Sequence, residues 1–219
     1  MQQNQEDNKD NSIKDIVPEI SEEMKILVIV GPSGVGKDTL MNKILDKYSG
    51  KFKKAISYTS RKKRQGEREG YNYHYVTKEA FLKLIEENKM LEYYFYSGNY
   101  YGLPKKELED RNKNDKILYI NIGVSATEKI HEINVPANFI AILPPSLEVL
   151  EKRLRARKTE SEKIIKERLE TAKKEIKAIN ESRLFNFKIY NDNLEETILD
   201  LEEKLKNLYP ILELEFNQI

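Results

Sequence analysis

The stretch KILVIVGPSGVGKDTL, residues 25–40, joins a short apolar run to a glycine-rich turn. Residues 25–30 are mostly β-branched, which is typical of a strand buried in a parallel sheet. From Lys37 onward the sequence suits a helix with Leu40 and Ile44 on one face. A glycine-rich turn between a strand and a helix lets several backbone N–H groups point at one anion. The stretch therefore predicts an α/β domain with an anion site where its first strand ends.

The turn matches the triphosphate-binding pattern G-x-x-x-x-G-K-[ST] at Gly31, Gly36 and Lys37. The pattern requires a hydroxyl at the next position as a magnesium ligand, and Asp38 stands there. Mg²⁺ prefers oxygen ligands, and a carboxylate supplies them. We therefore interpret the turn as a working triphosphate site with altered metal dependence, in which Asp38 is the metal ligand. The alternative is a turn that uses glycine only for its geometry.

Composition excludes several classes of function. The 219 residues carry a net charge of +1, which argues against a general nucleic-acid binder. The absence of cysteine excludes a disulfide scaffold, a thiolate zinc site and a cysteine nucleophile, and two histidines are too few for a histidine-rich metal site. The polar N-terminus is no secretory signal, and no apolar run suits a membrane span of about 20 residues. We expect a cytoplasmic protein, monomeric or weakly dimeric, without nucleic-acid or membrane partners.

The rest of the chain alternates between strand and helix signals. Residues 1–22 are polar and predict a disordered tail, and residues 23–219 predict one domain. Further strands are predicted at 52–57, 116–122, 138–143 and 187–190. Helix starts are indicated by Thr77, by Ser146, by a capping box of Thr159 with Glu162, and by Asn193 with Glu196. This alternation predicts parallel pairing with helices packed on the sheet.

A second candidate site lies in SYTSRKKRQGEREGYNYHYV, residues 57–76. Arg61 and Arg64 flank a loop that also offers the hydroxyls of Ser57 and Tyr73. Guanidinium groups match phosphate oxygens bidentately, and hydroxyls add neutral donors. By spacing alone, such a stretch is more often a solvated charged loop. On this stretch alone, a solvated loop is therefore the more common interpretation, and phosphate binding is the less common one.

Taken together, the motifs resemble those of the guanylate kinase family. The resemblance rests on these motifs, in this order: GPSGVGK, the stretch at 57–76, EYYFYSGNYYG at 92–102, LPPSLEVLEKRLRARKTESEKIIKERL and the YNDNL near the end. The resemblance covers residues 24–208 and implies transfer of the γ-phosphoryl group of ATP to GMP, with magnesium. It also implies a P-loop kinase fold with a parallel-sheet core, a small GMP-binding insertion at about 55–105 and a helical lid at about 150–175.

The resemblance also implies roles for individual residues. The GMP phosphate would be held by Ser57, Arg61, Arg64, Tyr73 and Tyr101. Glu92 would read guanine, because a carboxylate accepts hydrogen bonds from both N1–H and the 2-amino group, a donor pair that adenine lacks. The catalytic residues would be Lys37, Arg61, Arg157 and Arg168, which neutralise charge on the transferring phosphoryl group. The residues expected to contact ATP are Gly31, Ser33, Gly34, Val35, Gly36, Lys37, Asp38, Thr39, Arg153 and Asn191.

The sequence departs from the family pattern at three positions. Asp38 replaces a hydroxyl, Leu103 stands where the family usually has Ser or Thr, and Asn121 stands where the family tends to have an acidic residue. Two alternative functions remain: a non-catalytic guanylate-kinase-like interaction module, or a nucleoside monophosphate kinase with altered base preference. The presence of Lys37 and of the lid arginines favours the enzyme.

Overall fold

A computed structural model describes residues 25–96, 98–109, 116–132, 136–156 and 161–212. The strands are β1 (Ile26–Val30), β2 (Phe52–Lys54), β3 (Tyr58–Thr59), β4 (His74–Tyr75), β5 (Met90–Tyr96), β6 (Asn99–Pro104), β7 (Ile117–Asn121), β8 (Asn138–Leu143) and β9 (Phe187–Tyr190). The helices are α1 (Lys37–Lys47), α2 (Lys78–Glu86), α3 (Lys105–Glu109), α4 (Val124–Glu132), α5 (Leu147–Ala156), α6 (Glu162–Glu181) and α7 (Leu194–Leu208), followed by a 3-10 turn at Pro210–Leu212. The predicted tail at 1–22 lies outside the described residues.

The core is a five-stranded parallel sheet in the order β2-β7-β1-β8-β9. All five residues of β1 are fully buried, because apolar side chains cover both faces of the sheet. Leu27 and Ile29 pack in a cluster with residues of α1, α5 and α7. Ile26, Val28 and Val30 pack on the other face with residues of α4 and α6. The predicted α/β fold with a parallel core is confirmed, and β1 lies at its centre.

A second sheet of four strands, in the order β4-β3-β6-β5, lies within residues 58–104. β5 and β6 form an antiparallel hairpin, and β3 pairs antiparallel to β6. The predicted strand at 52–57 is too long, because the chain leaves the first sheet here. After Lys54 only the Ala55 amide still donates to Tyr119 O, at 2.8 Å, and Tyr58 already pairs with Gly102 in the second sheet.

Most predicted helix starts are confirmed by their caps. Thr77 Oγ1 accepts a hydrogen bond from Ala80 N at 3.1 Å, and Asn193 Oδ1 accepts bonds from Glu195 N and Glu196 N. The capping box at Thr159 is wrong, because α6 begins at Glu162 itself with Ser161 as its N-cap. Thr159 lies outside the described residues. Within the described part of the chain, no helix is both long and apolar enough to cross a membrane.

Candidate active site

A cleft of about 380 Å³ opens where the parallel sheet, the second sheet and α6 meet. The turn after β1 and the first residues of α1 form its floor. The end of β7 forms one wall, and the loop at 61–73 together with the second sheet forms another. Of the residues predicted to bind, those that line this cleft are Gly31, Ser33, Gly34, Gly36, Lys37, Asp38, Thr39, Arg61, Arg64, Tyr73, Tyr101 and Arg168.

The turn after β1 depends on glycine at two close approaches. Gly31 has φ 148°, and a Cβ there would collide with the carbonyl oxygen of Ile142 on β8. Gly36 has φ 106°, and a Cβ there would lie 2.5 Å from Nδ2 of Asn191. Both backbones occupy the region where side chains are strained. The turn therefore packs closely against the sheet, and its backbone amides lead into the start of α1 beside the cleft.

Asn191 and Arg153 support this turn from behind. Nδ2 of Asn191 donates to Val35 O at 2.7 Å, and Nη1 of Arg153 donates to Asn191 O at 2.8 Å. Neither side chain lines the cleft, and the Val35 side chain is buried in the core. Their predicted contacts with ATP therefore remain predictions. The role that the structure does give Asn191 and Arg153 is to fix the turn to the end of β9.

Lys37 lies at the first position of α1 and folds over the turn. Its Nζ donates to Gly31 O at 2.5 Å and to Pro32 O at 3.2 Å. Glu175, on α6, faces it across the cleft, and burial raises the pKa of the Glu175 carboxyl while the charge of Lys37 opposes that rise. The ammonium group is thus held at the mouth of the turn, where a bound triphosphate would extend.

Asp38 and Asn121 meet at the edge of the cleft. Nδ2 of Asn121 donates to Oδ1 of Asp38 at 3.0 Å, and Asp38 is exposed. Among the described residues no group of three His, Cys, Asp or Glu side chains forms a metal site. A single carboxylate still fits Mg²⁺, which is usually bound through one or two carboxylates together with substrate phosphates and water. Oδ2 of Asp38 accepts no hydrogen bond from any described group, and the predicted role of Asp38 as the metal ligand remains a prediction.

The loop at 61–73 brings cations and hydroxyls to the opposite wall. Arg61, Arg64, Tyr73 and Tyr101 all line the cleft. Burial, followed by the negative charge of Asp38, raises the pKa of Tyr73 to about 12, so its hydroxyl stays protonated and can donate. Ser57 does not line the cleft, although its carbonyl accepts from the His74 amide at 2.8 Å. Four of the five predicted phosphate contacts are therefore brought together.

Glu92 lies deeper, on β5, and is only 3% exposed. Burial raises the pKa of its carboxyl to about 7, although the Leu103 amide donates to it and opposes the rise. Leu103 pairs with Glu92 across the hairpin and buries its side chain in the core. Glu92 does not line the cleft, whereas Tyr94, two residues further along the strand, does. The predicted guanine contact of Glu92 remains a prediction.

α6 covers the cleft with one face. Nη1 of Arg168 donates to Ser33 Oγ on the glycine-rich turn, which ties the helix to that turn. Thr171 and Glu175 follow on the same face and also line the cleft. Sequence reasoning missed these two residues and Tyr94, although the spacing from Arg168 to Thr171 and Glu175 places all three on one helix face. Arg157 lies outside the described residues, so its catalytic role remains a prediction.

The fold and the cleft define a class of protein. A glycine-rich turn follows the central strand of a parallel sheet, its lysine faces a cleft, and arginines and tyrosines face the same cleft from the opposite wall. This arrangement is that of a P-loop nucleotide kinase.

Comparisons with known proteins give the family. The family model for guanylate kinase matches residues 23–208. Guanylate kinases of Synechocystis, Schizosaccharomyces pombe and Homo sapiens are 40%, 37% and 35% identical to this chain over 174, 179 and 179 residues. These alignments cover 80%, 82% and 82% of this chain and 89%, 89% and 91% of the relatives. The crystal structure of guanylate kinase from Anaplasma phagocytophilum superposes with a TM-score of 0.62 at 29% identity, covering 85% of this chain and 86% of that one. The chain belongs to the guanylate kinase family.

Proposed function

We propose that this protein transfers the γ-phosphoryl group of ATP to GMP, forming ADP and GDP. One observation carries the proposal: Lys37 of the glycine-rich turn lines one cleft together with Arg61 and Arg64, which belong to the opposite wall. Two phosphate-bearing substrates can therefore be held with their phosphates facing each other. The curated relatives that cover most of this chain are named guanylate kinases, which supports the same reaction.

The reaction needs positioning and charge neutralisation more than covalent chemistry from the protein. An oxygen of the GMP phosphate attacks the γ-phosphorus of ATP. The bond from that phosphorus to its bridging oxygen breaks, and ADP leaves with the electron pair. Lys37 holds the β- and γ-phosphates, Arg61 and Arg64 hold the attacking phosphate, and Arg168 approaches from α6 to neutralise the transferring group. Arg157 joins them in this proposal.

Further parts of the proposal concern the metal and the base. Asp38 would hold Mg²⁺ directly or through water, and the ion would supply positive charge to offset that of the triphosphate. Glu92 accepts hydrogen bonds from N1–H and the 2-amino group of guanine once its carboxyl is ionised. The near-neutral net charge fits small-molecule substrates better than nucleic acid. We propose a cytoplasmic enzyme that is a monomer or a weak homodimer.

A coupled ADP-release assay tests the reaction and the base together. Purified protein is supplied with ATP and Mg²⁺ and, in parallel, with GMP, dGMP, AMP, CMP or UMP. GMP is expected to give the highest kcat/KM. No ADP release with GMP would contradict the kinase, and equal release with AMP would contradict the guanine preference while leaving phosphoryl transfer intact.

A further inference from the structure

Glu67 lies at the centre of the loop that faces the expected GMP phosphate, and it receives four hydrogen bonds. Oε1 accepts from Nη2 of Arg61 at 2.8 Å. Oε2 accepts from Nη1 of Arg61 at 3.0 Å, from the Arg64 amide at 2.7 Å and from the Tyr75 hydroxyl at 2.8 Å. The side chains of Arg61 and Glu67 are only 12% and 18% exposed. One carboxylate thus joins Arg61 and Arg64 to the second sheet.

The bonds to Glu67 and to the Lys62 carbonyl leave Arg61 with one edge for a ligand. A guanidinium presents two edges with parallel N–H pairs: the end edge of Nη1 and Nη2, and the side edge of Nε and Nη2. Glu67 occupies the end edge, and Lys62 O accepts the other hydrogen of Nη1 at 2.7 Å. The other hydrogen bonds from Arg61 to described groups run from Nη1 and Nη2, and the Tyr75 hydroxyl, which also interacts with the Arg61 side chain, is bonded to Glu67 Oε2. Arg61 lines the cleft and Glu67 does not, so the side edge is the one available to a ligand there.

Packing restricts the Arg61 side chain further. Its guanidinium carbon lies 5.6 Å from the ring centroid of Tyr73 and 5.8 Å from that of Tyr75. Burial would lower the pKa of Arg61, but the hydrogen bond and the charge of Glu67 raise it above its usual value. A long arginine side chain otherwise loses about 2 kcal/mol of rotamer entropy when it binds. Here that ordering is already present before a ligand arrives.

We propose that Glu67 is a positioning residue for the phosphate of GMP, which rests on the proposed function above. It holds Arg61 by the end edge so that the side edge can bind two phosphate oxygens, and it fixes the start of the turn that carries Arg64. Since the charges of Arg61 and Glu67 largely cancel, Arg61 contributes directed hydrogen bonds and Arg64 contributes the net positive charge. The alternative is that Glu67 only stabilises its own loop.

The chain offers a matched control two residues further on. Glu69 is also a carboxylate of this loop, with Oε2 accepting from the Tyr75 amide at 3.0 Å and Oε1 lying 3.0 Å from Nδ1 of His74. It has no hydrogen bond to Arg61 among the described contacts. Glu69→Gln therefore removes a loop-stabilising carboxylate and leaves the pair of Arg61 and Glu67 intact.

Ligand-observed NMR titrations of the full chain with GMP and with guanosine separate the two roles, because only GMP carries the phosphate. Glu67→Gln places an amide among four donors, and we expect GMP affinity to fall by about tenfold or more. Guanosine affinity should stay unchanged in this variant, and Glu69→Gln should keep the wild-type preference for GMP. Glu67→Asp keeps the charge on a shorter stem and should retain part of that preference.

The outcomes are distinguishable. A Glu67→Gln protein that keeps the full preference of the wild type for GMP over guanosine would overturn the positioning role. An equal loss of affinity for GMP and for guanosine in the Glu67→Gln and Glu67→Asp variants would also overturn it. A wild-type protein that shows no preference for GMP would overturn the phosphate subsite and the proposed function together. Normal GMP phosphorylation by the wild type with an unchanged Glu67→Gln preference would overturn the positioning role alone.

Discussion

Asn121 Nδ2, at the end of β7, donates a 3.0 Å hydrogen bond to Oδ1 of Asp38 in the first turn of α1. Both residues depart from the pattern of the family that the sequence resembles, and they contact each other. The carboxylate that the pattern places on the strand is replaced by an amide, and the hydroxyl on the helix is replaced by a carboxylate. This part of the cleft therefore has an acidic group, which lies on the helix and not on the strand.

Substitution of Asp38 should change the metal requirement. Asp38→Ser restores the hydroxyl of the usual pattern and should leave the enzyme active at a shifted Mg²⁺ concentration. Asp38→Ala supplies no oxygen and should be less active than Asp38→Ser. Activity titrated against free Mg²⁺ compares the three proteins, and Mn²⁺ binding followed by electron paramagnetic resonance reports on the metal without turnover. Three superimposable titrations would show that Asp38 does not hold the ion.

Removal of the Lys37 ammonium should abolish most turnover. Lys37→Ala leaves the phosphates without their lysine contact, and the loss of one such charge-stabilising group typically costs about 10²–10³-fold in kcat. The Nζ bonds to Gly31 O and Pro32 O are also lost, but Gly31 lines the cleft, where water can replace the donor. Circular dichroism should therefore show an unchanged fold. Near-normal turnover in a folded variant would contradict the role of Lys37.

GMP binding should weaken as the pH falls through about 7. The pKa of Glu92 is raised to about 7 by burial, so acidification protonates a carboxyl that guanine needs as a double acceptor. Glu92→Gln mimics the protonated state and should lose about tenfold or more in GMP affinity at pH 8, with much less preference over AMP. Binding measured from pH 6 to pH 8.5 tests this. Equal pH dependence in wild type and Glu92→Gln would remove Glu92 from base recognition.

The same raised pKa predicts an opposite effect on stability. Because the folded state favours the neutral carboxyl, the contribution of Glu92 to stability is full below pH 4.5 and is lost as the pH rises through about 7. Glu92→Gln stays neutral, so its free energy of unfolding should exceed that of the wild type by about 1–3 kcal/mol at pH 8. At pH 4.5 the two proteins should unfold alike. Urea titrations at both pH values provide the comparison, and a less stable variant at pH 8 would be the contrary result.

The support of the glycine-rich turn can be tested at Asn191. Asn191→Ala leaves the Val35 carbonyl without its 2.7 Å partner and should cost about 1–3 kcal/mol of stability. The KM for ATP should rise while the KM for GMP stays constant, because only the turn is loosened. Asn193→Ala removes the cap of α7 at a cost of about 1 kcal/mol and serves as the control. An increase in the KM for ATP in both variants would attribute the effect to general instability.

Short motifs of neighbouring residues predicted most of the parallel core. The apolar run of β1, the glycine turn and the caps at Thr77 and Asn193 each depend on residues close together in sequence, so local chemistry decides them. The strands β3 and β4 of the second sheet were missed, because they have two residues each and β3 depends on β6, about 40 residues away, for its pairing. Strands that short carry no periodic pattern of their own.

The candidate site also has a part that local sequence predicted and a part that only the fold shows. The glycine-rich turn and the phosphate-facing arginines followed from motifs, but the partners of these residues did not. Asn121 reaches Asp38 from 83 positions away, and only the pairing of β7 with β1 brings them together. Glu67 was also missed as the partner of Arg61, since a charged loop offers several acidic residues and sequence alone does not say which one turns inward.

The central place of β1 has a consequence for synthesis on the ribosome. β1 is the first strand of the fold to be made, yet its neighbours follow late: roughly 90 residues separate Ile26 from Leu118, and roughly 110 separate Leu27 from Asn138. At about 5–20 residues per second, this apolar strand waits on the order of 5–20 s without a partner. The Tyr209 hydroxyl, which donates to Ile26 O at 2.8 Å, emerges later still. A nascent chain therefore completes the cleft only after β7, β8 and α6 have emerged, and before β7 emerges the apolar strand β1 has neither of its neighbours in the sheet.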